Sequence, residues 1–337
     1  MRSSAQAGKD ELNPTIENLQ PAVAWFRDLP RECVPLAGGK GASLSRMMAA
    51  QFPVPPGFVV CSPGFQIFLE DQGRTRAILD VLRGLDVNDS AALEKASATI
   101  CDWIRSHPMP SQLENAIRRA HAELARGRDL CLVAVRSSAV AEDGEAASFA
   151  GQQETFLNVC GVDAVIHHAR ECWASFFSPR ALFYRAQKGA LTDTGMAVVV
   201  QEMVQAEKSG VMFTVDPVQK RRDYMVIEAV WGLGEGIVSG LITPDHYLLD
   251  RDDGSIVNEF VAVQPVALMY DPNTGRTAEV ELPEEKGSAR ILNDEELNGL
   301  RQLGLRLEQY FGKPQDVEWC IRGNELLLLQ SRPITTL

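Results

Sequence analysis

Positive charge is scarce in this chain: 33 lysines and arginines stand against 45 aspartates and glutamates, a formal net charge of −12. Binders of nucleic acid or of anionic membranes carry an extended basic face that recruits phosphates, so neither is expected as a partner. A polyanion would have to be held in a local basic pocket. The seven cysteines are odd in number and far apart, with no Cys-x-x-Cys spacing, which leaves no sequence signature of a zinc or dithiol centre and fits reduced thiols in the cytoplasm. His-Glu-x-x-His and Gly-x-Ser-x-Gly are both missing, so the zinc-protease and serine-hydrolase readings lose their reacting groups. No apolar run reaches membrane-spanning length, and residues 1–20 lack the apolar core of a secretory signal. They are expected to form a polar leader.

What is present is a chain of 337 residues, 45% hydrophobic, long enough for two packed lobes. "LAGGKGASLSRMMAAQFPVPPGFVV" reads as a glycine turn, a short amphipathic helix carrying Leu44, Met47 and Met48, a proline-rich turn and a strand at Phe58 to Val60. From Ser62 to Arg128 the apolar spacing is helical, and "VIHHARECWASFFSPRALFYRAQ" predicts a helix interrupted near Pro179. "MAVVVQEMV", "SGVMFTVDP" and "YMVIEAVWGLGEG" predict buried strands. "NDEELNGLRQLGLRLEQYFG" has an acidic start, a leucine face and a closing Gly312, hence a helix with both ends marked. Two strands, "QDVEWCI" and "LLLLQSRP", follow around the turn Arg322-Gly323-Asn324.

Four stretches could carry chemistry. "GGKG" at Gly38 to Gly41 can bring backbone N–H groups and the Lys40 ammonium to a phosphate. Gly41 stands where a P-loop needs Ser or Thr, and an ordinary structural turn fits equally well. "GLGEG" at Gly232 to Gly236 has Ile237 where the third glycine of a dinucleotide fingerprint belongs, so a tight turn is expected. In "VAVRSSAVAEDGEAASFAGQQETFLNV" an apolar run ends at Arg136, followed by a small-residue loop with Ser137, Ser138, Gly144, Ser148 and Gly151. Arg136 either pairs with a carboxylate of the fold or is a fixed cation beneath a lid able to approach a phosphate. In the last hairpin Asp316 and Glu318 share one strand face, as do Gln330 and Arg332. Converging, they would offer oxygen ligands for Mg²⁺ and a guanidinium for phosphate; the bland alternative is a surface ion pair of Arg332 with one of the acids. The five histidines are scattered, and His246 is the one expected near a cleft.

Taken in order, "LAGGKGASL", the Arg136 stretch, "QEMVQAEKSGVMFTVDP", "VIEAVWGLGEGIVSGLITPDHYLLDR" and "QDVEWCIRGNELLLLQSRP" resemble the nucleotide-binding domain of the phosphoenolpyruvate synthase and pyruvate phosphate dikinase family, across about Leu36 to Pro333. The resemblance implies an α+β, ATP-grasp fold with two lobes closing on ATP: an N-terminal lobe over residues 21–200 and a C-terminal lobe over residues 201–337. It implies that Lys40, Arg136 and Arg332 act on the polyphosphate and that Glu318 and Gln330 hold Mg²⁺, with Asp316 beside them. It further implies that Glu202 and the backbone of Met203 and Val204 receive the adenine.

The family places a phosphorylated histidine, in a Thr-x-His-type motif, on a mobile domain after the ATP domain, and an acceptor-binding domain after that. None of the five histidines here lies in such a motif. The implied reaction is therefore the first half alone, from MgATP to a histidine on a phosphocarrier domain or subunit, with the β-phosphoryl transferred in the synthase-like branch. Three readings stand: a dedicated ATP-binding subunit, as in phenylphosphate synthase, suggested by natural-looking ends; an excised domain of a synthase, dikinase or rifampin phosphotransferase; and an ATP-sensing module without turnover. Pyruvate, a phenol or an antibiotic hydroxyl could each be the final acceptor.

Overall fold

A computed structural model describes residues 21–71, 73–128, 130–140 and 154–335. The leader over 1–20 and the loop residues Gly144, Ser148 and Gly151 lie outside the described residues. Five antiparallel strands build the first sheet: β1 (Val23–Trp25), β2 (Gly57–Val60), β3 (Leu132–Ala139), β4 (Thr155–Cys160) and β5 (Met196–Glu202), in the order β1-β2-β5-β3-β4. Helix α1 (Val34–Ala49) packs on one face. On the other face lie α2 (Ser62–Glu70), α3 (Arg74–Arg83), α4 (Ser90–Ser106), α5 (Ser111–Ala125), α6 (Val162–Ser175) and α7 (Pro179–Gln187). Because both faces are covered, β2 and β3 are buried at every residue, and β5 at all but its last. Double burial is why these strands read as continuous apolar runs rather than alternating ones.

The second sheet is six-stranded and antiparallel. Strands β6 (Lys208–Phe213), β7 (Tyr224–Trp231), β8 (Asp245–Asp250) and β9 (Ile256–Phe260) are joined at β6 by the last hairpin. Between them in sequence come the short helix α8 (Glu235–Val238), the two-stranded ladder β10 (Val266–Asp271) and β11 (Arg276–Glu281), and the helices α9 (Glu284–Gly287) and α10 (Asp294–Phe311). The hairpin itself is β12 (Gln315–Arg322) and β13 (Glu325–Pro333), giving the order β13-β12-β6-β7-β8-β9.

The end signals of α10 act as the sequence predicts. Asn293 and Glu296 form a reciprocal capping box, and Gly312 stops the helix with a φ of 71°. Its Leu297, Leu300 and Leu307 pack on the back of the second sheet against Met212, Met225, Val317 and Trp319, in a core that continues through α1 to Val59 and Val199 of the first sheet. Removing each such leucine side chain from water contributes roughly 2 kcal/mol. Ser43 on α1 also donates to the Ser331 carbonyl of β13 at 2.6 Å. Helix α1 is thus the wedge that fixes the two sheets against each other and leaves a cleft beside it.

Two expectations need correction. Arg136 does not end its strand, and Ser137 and Ser138 are not loop residues: all three lie within β3, paired to Val199, Val198 and Ala197 of β5. Nor does "GGKG" merely open a helix, since a helical turn precedes it and Gly38 breaks α1 internally with φ 66° and ψ 179°. The two corrections share a cause. A Cβ on Gly38 would stand 2.2 Å from the Ser138 carbonyl oxygen, so glycine and serine side by side allow helix and strand backbones to touch. Among the described residues no helix is long and apolar enough to cross a membrane.

Candidate functional site

A cleft of about 1190 Å³ lies between the sheets, and Lys40, Arg136, Glu202, Met203, Val204, Asp316, Glu318, Gln330 and Arg332 all line it. Its floor is the open face of the second sheet. In the β12–β13 hairpin Glu318 stands directly across from Gln330, and Asp316 across from Arg332. Cross-strand partners share a face and come within a few ångströms of each other, so the two pairs form a patch of mixed charge. The Arg332 guanidinium holds Asp316 through Nε at 2.8 Å and Nη2 at 2.7 Å, both on Oδ2. Burial nevertheless pushes the Asp316 carboxyl above the usual range; Arg332 opposes this and Glu318 adds to it. The ladder slips between Glu318 and Trp319, an irregularity that twists the strand just past the carboxylate.

Arg136 enters from the first sheet. Its side chain is almost fully buried, with Nη1 donating to the Leu329 carbonyl at 3.4 Å and Nη2 3.7 Å from Glu318 Oε2. Its buried Nε has no partner among the described residues. Both readings of this arginine are therefore partly satisfied: it faces a carboxylate, yet too loosely to use up its donors. Lys40 reaches the Ser137 carbonyl at 3.3 Å, while the Gly41 N–H is taken by Ser138 Oγ at 3.2 Å and the Ser138 hydroxyl donates to the Ala37 carbonyl at 2.8 Å. The strand serine thus satisfies a helix donor that the sequence left open to a phosphate.

At the connection between sheets two of the groups expected to meet adenine, the Glu202 carboxylate and the Met203 N–H, are already engaged. The Glu202 carboxylate is gripped by Arg128, Nη1 to Oε1 at 2.8 Å and Nη2 to Oε2 at 3.0 Å. The Met203 N–H donates to the Leu132 carbonyl at 2.9 Å. Val204 is buried in the cleft wall. Glu202 N–H bonds the Pro56 carbonyl at 2.9 Å, and proline has no N–H to return. The Glu202 carbonyl therefore lacks its ladder donor.

Sequence reasoning passed over two features of the cleft. Glu228 on β7 is joined to Glu318 through Val211 in the strand pairing and lines the same space. Its signal was available, for it is the one charge within "YMVIEAVW". Asn158, on β4 with a left-handed φ of 55°, donates to Thr277 Oγ1 at 2.9 Å and so ties the first sheet to the β10–β11 ladder. Nothing in the local pattern announces that contact. His246 stands across from Glu228 in the pairing of β7 with β8.

Residues 34–337 match the family model described as pyruvate phosphate dikinase, AMP/ATP-binding domain. The chain belongs to this family. It is 48% identical to a probable phosphoenolpyruvate synthase of Archaeoglobus fulgidus, over 94% of this chain and 42% of that protein. Against the probable phosphoenolpyruvate synthase of Methanocaldococcus jannaschii the identity is 45%, over 94% of this chain and 27% of the relative. With the phosphoenolpyruvate synthase of Pyrococcus furiosus it is 39%, covering 94% and 44%. The chain therefore spans less than half the length of these relatives.

An AMP/ATP-binding domain needs buried cation donors and oxygen ligands, and the cleft contains both. The unpartnered Nε of Arg136 is a donor aimed at no described protein acceptor, which fits an incoming phosphate oxygen. The Glu318 carboxylate and the Gln330 amide, opposite one another, suit Mg²⁺, a cation that takes one or two carboxylates and completes its shell with substrate phosphates and water.

Proposed function

We propose that this chain binds MgATP in the cleft between its sheets and passes a phosphoryl group to a histidine outside these residues. The observation that carries the reading is Arg136: a buried guanidinium from one sheet spanning to Glu318 and the Leu329 carbonyl of the other, with donor capacity left over. Lys40, Arg136 and Arg332 would grip the polyphosphate, and Glu318 and Gln330 would hold Mg²⁺, with Asp316 keeping Arg332 in place. When bound, Mg²⁺ would neutralise charge on the phosphate oxygens. The protein's own work is then orientation and charge compensation, the principal demands of phosphoryl transfer.

The donor is read as the β-phosphoryl: ATP and water enter, and AMP, inorganic phosphate and phosphohistidine leave. The names of the relatives, phosphoenolpyruvate synthases, support this branch. The accepting histidine would lie on a swivelling phosphocarrier domain or subunit, with a further domain binding the final acceptor, pyruvate or a phenol. The lobes would be residues 21–200 and 201–337, moving about the connection that follows Glu202.

Nucleotide products followed by phosphorus NMR test the reading. With MgATP and a histidine-bearing partner domain, AMP and phosphate should accumulate; with the chain alone, turnover should be negligible. ATP that stays intact with every such partner would overturn the transfer reading and favour an ATP-sensing module.

A further inference from the structure

The contact between Arg128 and Glu202 lies at the edge of the cleft, and the reading above gives it no task. Arg128 follows the left-handed end of α5, at Arg126 and Gly127. Its Nε donates to the Ala125 carbonyl and its Nη2 to the Leu124 carbonyl, both at 3.1 Å, so the guanidinium is anchored to the carbonyl end of α5. Nη1 and Nη2 form the two-point grip on the Glu202 carboxylate, and Nη2 also lies 3.8 Å from Cys131 Sγ. Glu202 is the last residue of β5 and lines the cleft.

We propose that Arg128 sets the base specificity of the site by sequestering the Glu202 carboxylate. This rests on the nucleotide-binding reading and goes beyond it. A carboxylate accepts hydrogen bonds and donates none. Guanine presents two adjacent donors, N1–H and the 2-amino group, which a free carboxylate can take together; adenine presents an acceptor at N1 beside a donor at its 6-amino group. An unpaired Glu202 would thus favour guanine and repel the lone pair at adenine N1. Held by Arg128, the carboxylate is removed from the base, and recognition passes to the backbone. There the Glu202 carbonyl, deprived of a ladder donor by Pro56, is an acceptor suited to the 6-amino group of adenine. Arg128 is in this sense a positioning residue: it acts on the base through Glu202.

The test is calorimetric titration of the full chain with ATP and with GTP, each with Mg²⁺, comparing the ratio of the two affinities. The unmodified chain should prefer ATP. Arg128→Met, which keeps much of the aliphatic stem, should move the ratio toward GTP by about tenfold or more, the discrimination expected of one two-point contact to a base edge. Arg128→Met combined with Glu202→Leu should return the preference to ATP, and Arg128→Lys should fall between. A ratio unchanged in Arg128→Met, or shifted equally in the double variant, would overturn the proposal; so would equal weakening of both nucleotides, the signature of a purely structural role. If Arg128→Met does not fold by circular dichroism, Arg128→Lys carries the same comparison. Failure of the unmodified chain to bind either nucleotide would instead overturn the nucleotide-binding reading itself.

Discussion

The two sheets solve different problems with the same antiparallel ladder. The first is covered on both faces, and Arg136 and Gln201 are polar residues buried in its strands that also line the cleft. The second buries one face under α10 and presents the other to the cleft, so β12 alternates a buried Val317 with the partly exposed Asp316 and Glu318. A doubly buried sheet can hold a cation rigidly but has little room for several. A half-open sheet can array carboxylates, amide and guanidinium side by side because the cleft hydrates them. Rigidity comes from one sheet and most of the polar chemistry from the other.

Breaking the seam of the first sheet should have the largest effect. Gly38→Ala forces a Cβ into the Ser138 carbonyl at a positive φ, two mechanisms that together should destabilise by at least about 4 kcal/mol. Denaturant midpoints would measure it, and a loss under about 1 kcal/mol would show that helix and strand do not need this contact. Next comes the cation itself. Arg136→Ala should lower phosphoryl transfer by about 10²-fold to 10³-fold while thermal unfolding changes little. Retained turnover would move the phosphate grip to the other sheet.

On the open sheet a single change should be milder. Glu318→Gln should raise the Mg²⁺ concentration needed for half-maximal activity by about tenfold, measured by Mg²⁺ titration at fixed ATP. No change would place the metal away from the hairpin. The smallest effect belongs to His121, buried on α5 against the first sheet, where desolvation holds its pKa below the ordinary histidine value. The folded state therefore resists protonation more than the unfolded chain does. Stability should hold above the ordinary histidine pKa, decline as pH falls through it, and level off below the folded value. His121→Gln should flatten that decline in unfolding curves taken across the window; an identical slope would remove the histidine from the acid response.

Where the sequence was legible, a local physical rule was at work. The caps of α10, the break near Pro179 and the shared face of Asp316 and Glu318 follow from capping chemistry, proline geometry and strand alternation. Arg136 was identified but misplaced at a strand end, because serine is a weak strand former and the small-residue run resembled a loop. At Ser138 the close approach of Gly38 from α1 leaves room only for a small side chain. Arg128, which the sequence marked only as the end of a helical region, is separated from Glu202 by 74 positions, a distance over which no periodicity speaks.

By itself the sequence determined which residues carry charge and oxygen and the family they belong to, since these depend on composition, spacing and motif. Tertiary structure decided which of those groups remain available. The Glu202 carboxylate goes to Arg128, the Met203 amide to Leu132 and the Gly41 amide to Ser138, while Arg136 retains a buried donor with no partner among the described residues. Availability is a property of hydrogen bonds closed between distant segments, and those bonds exist only once the chain has packed.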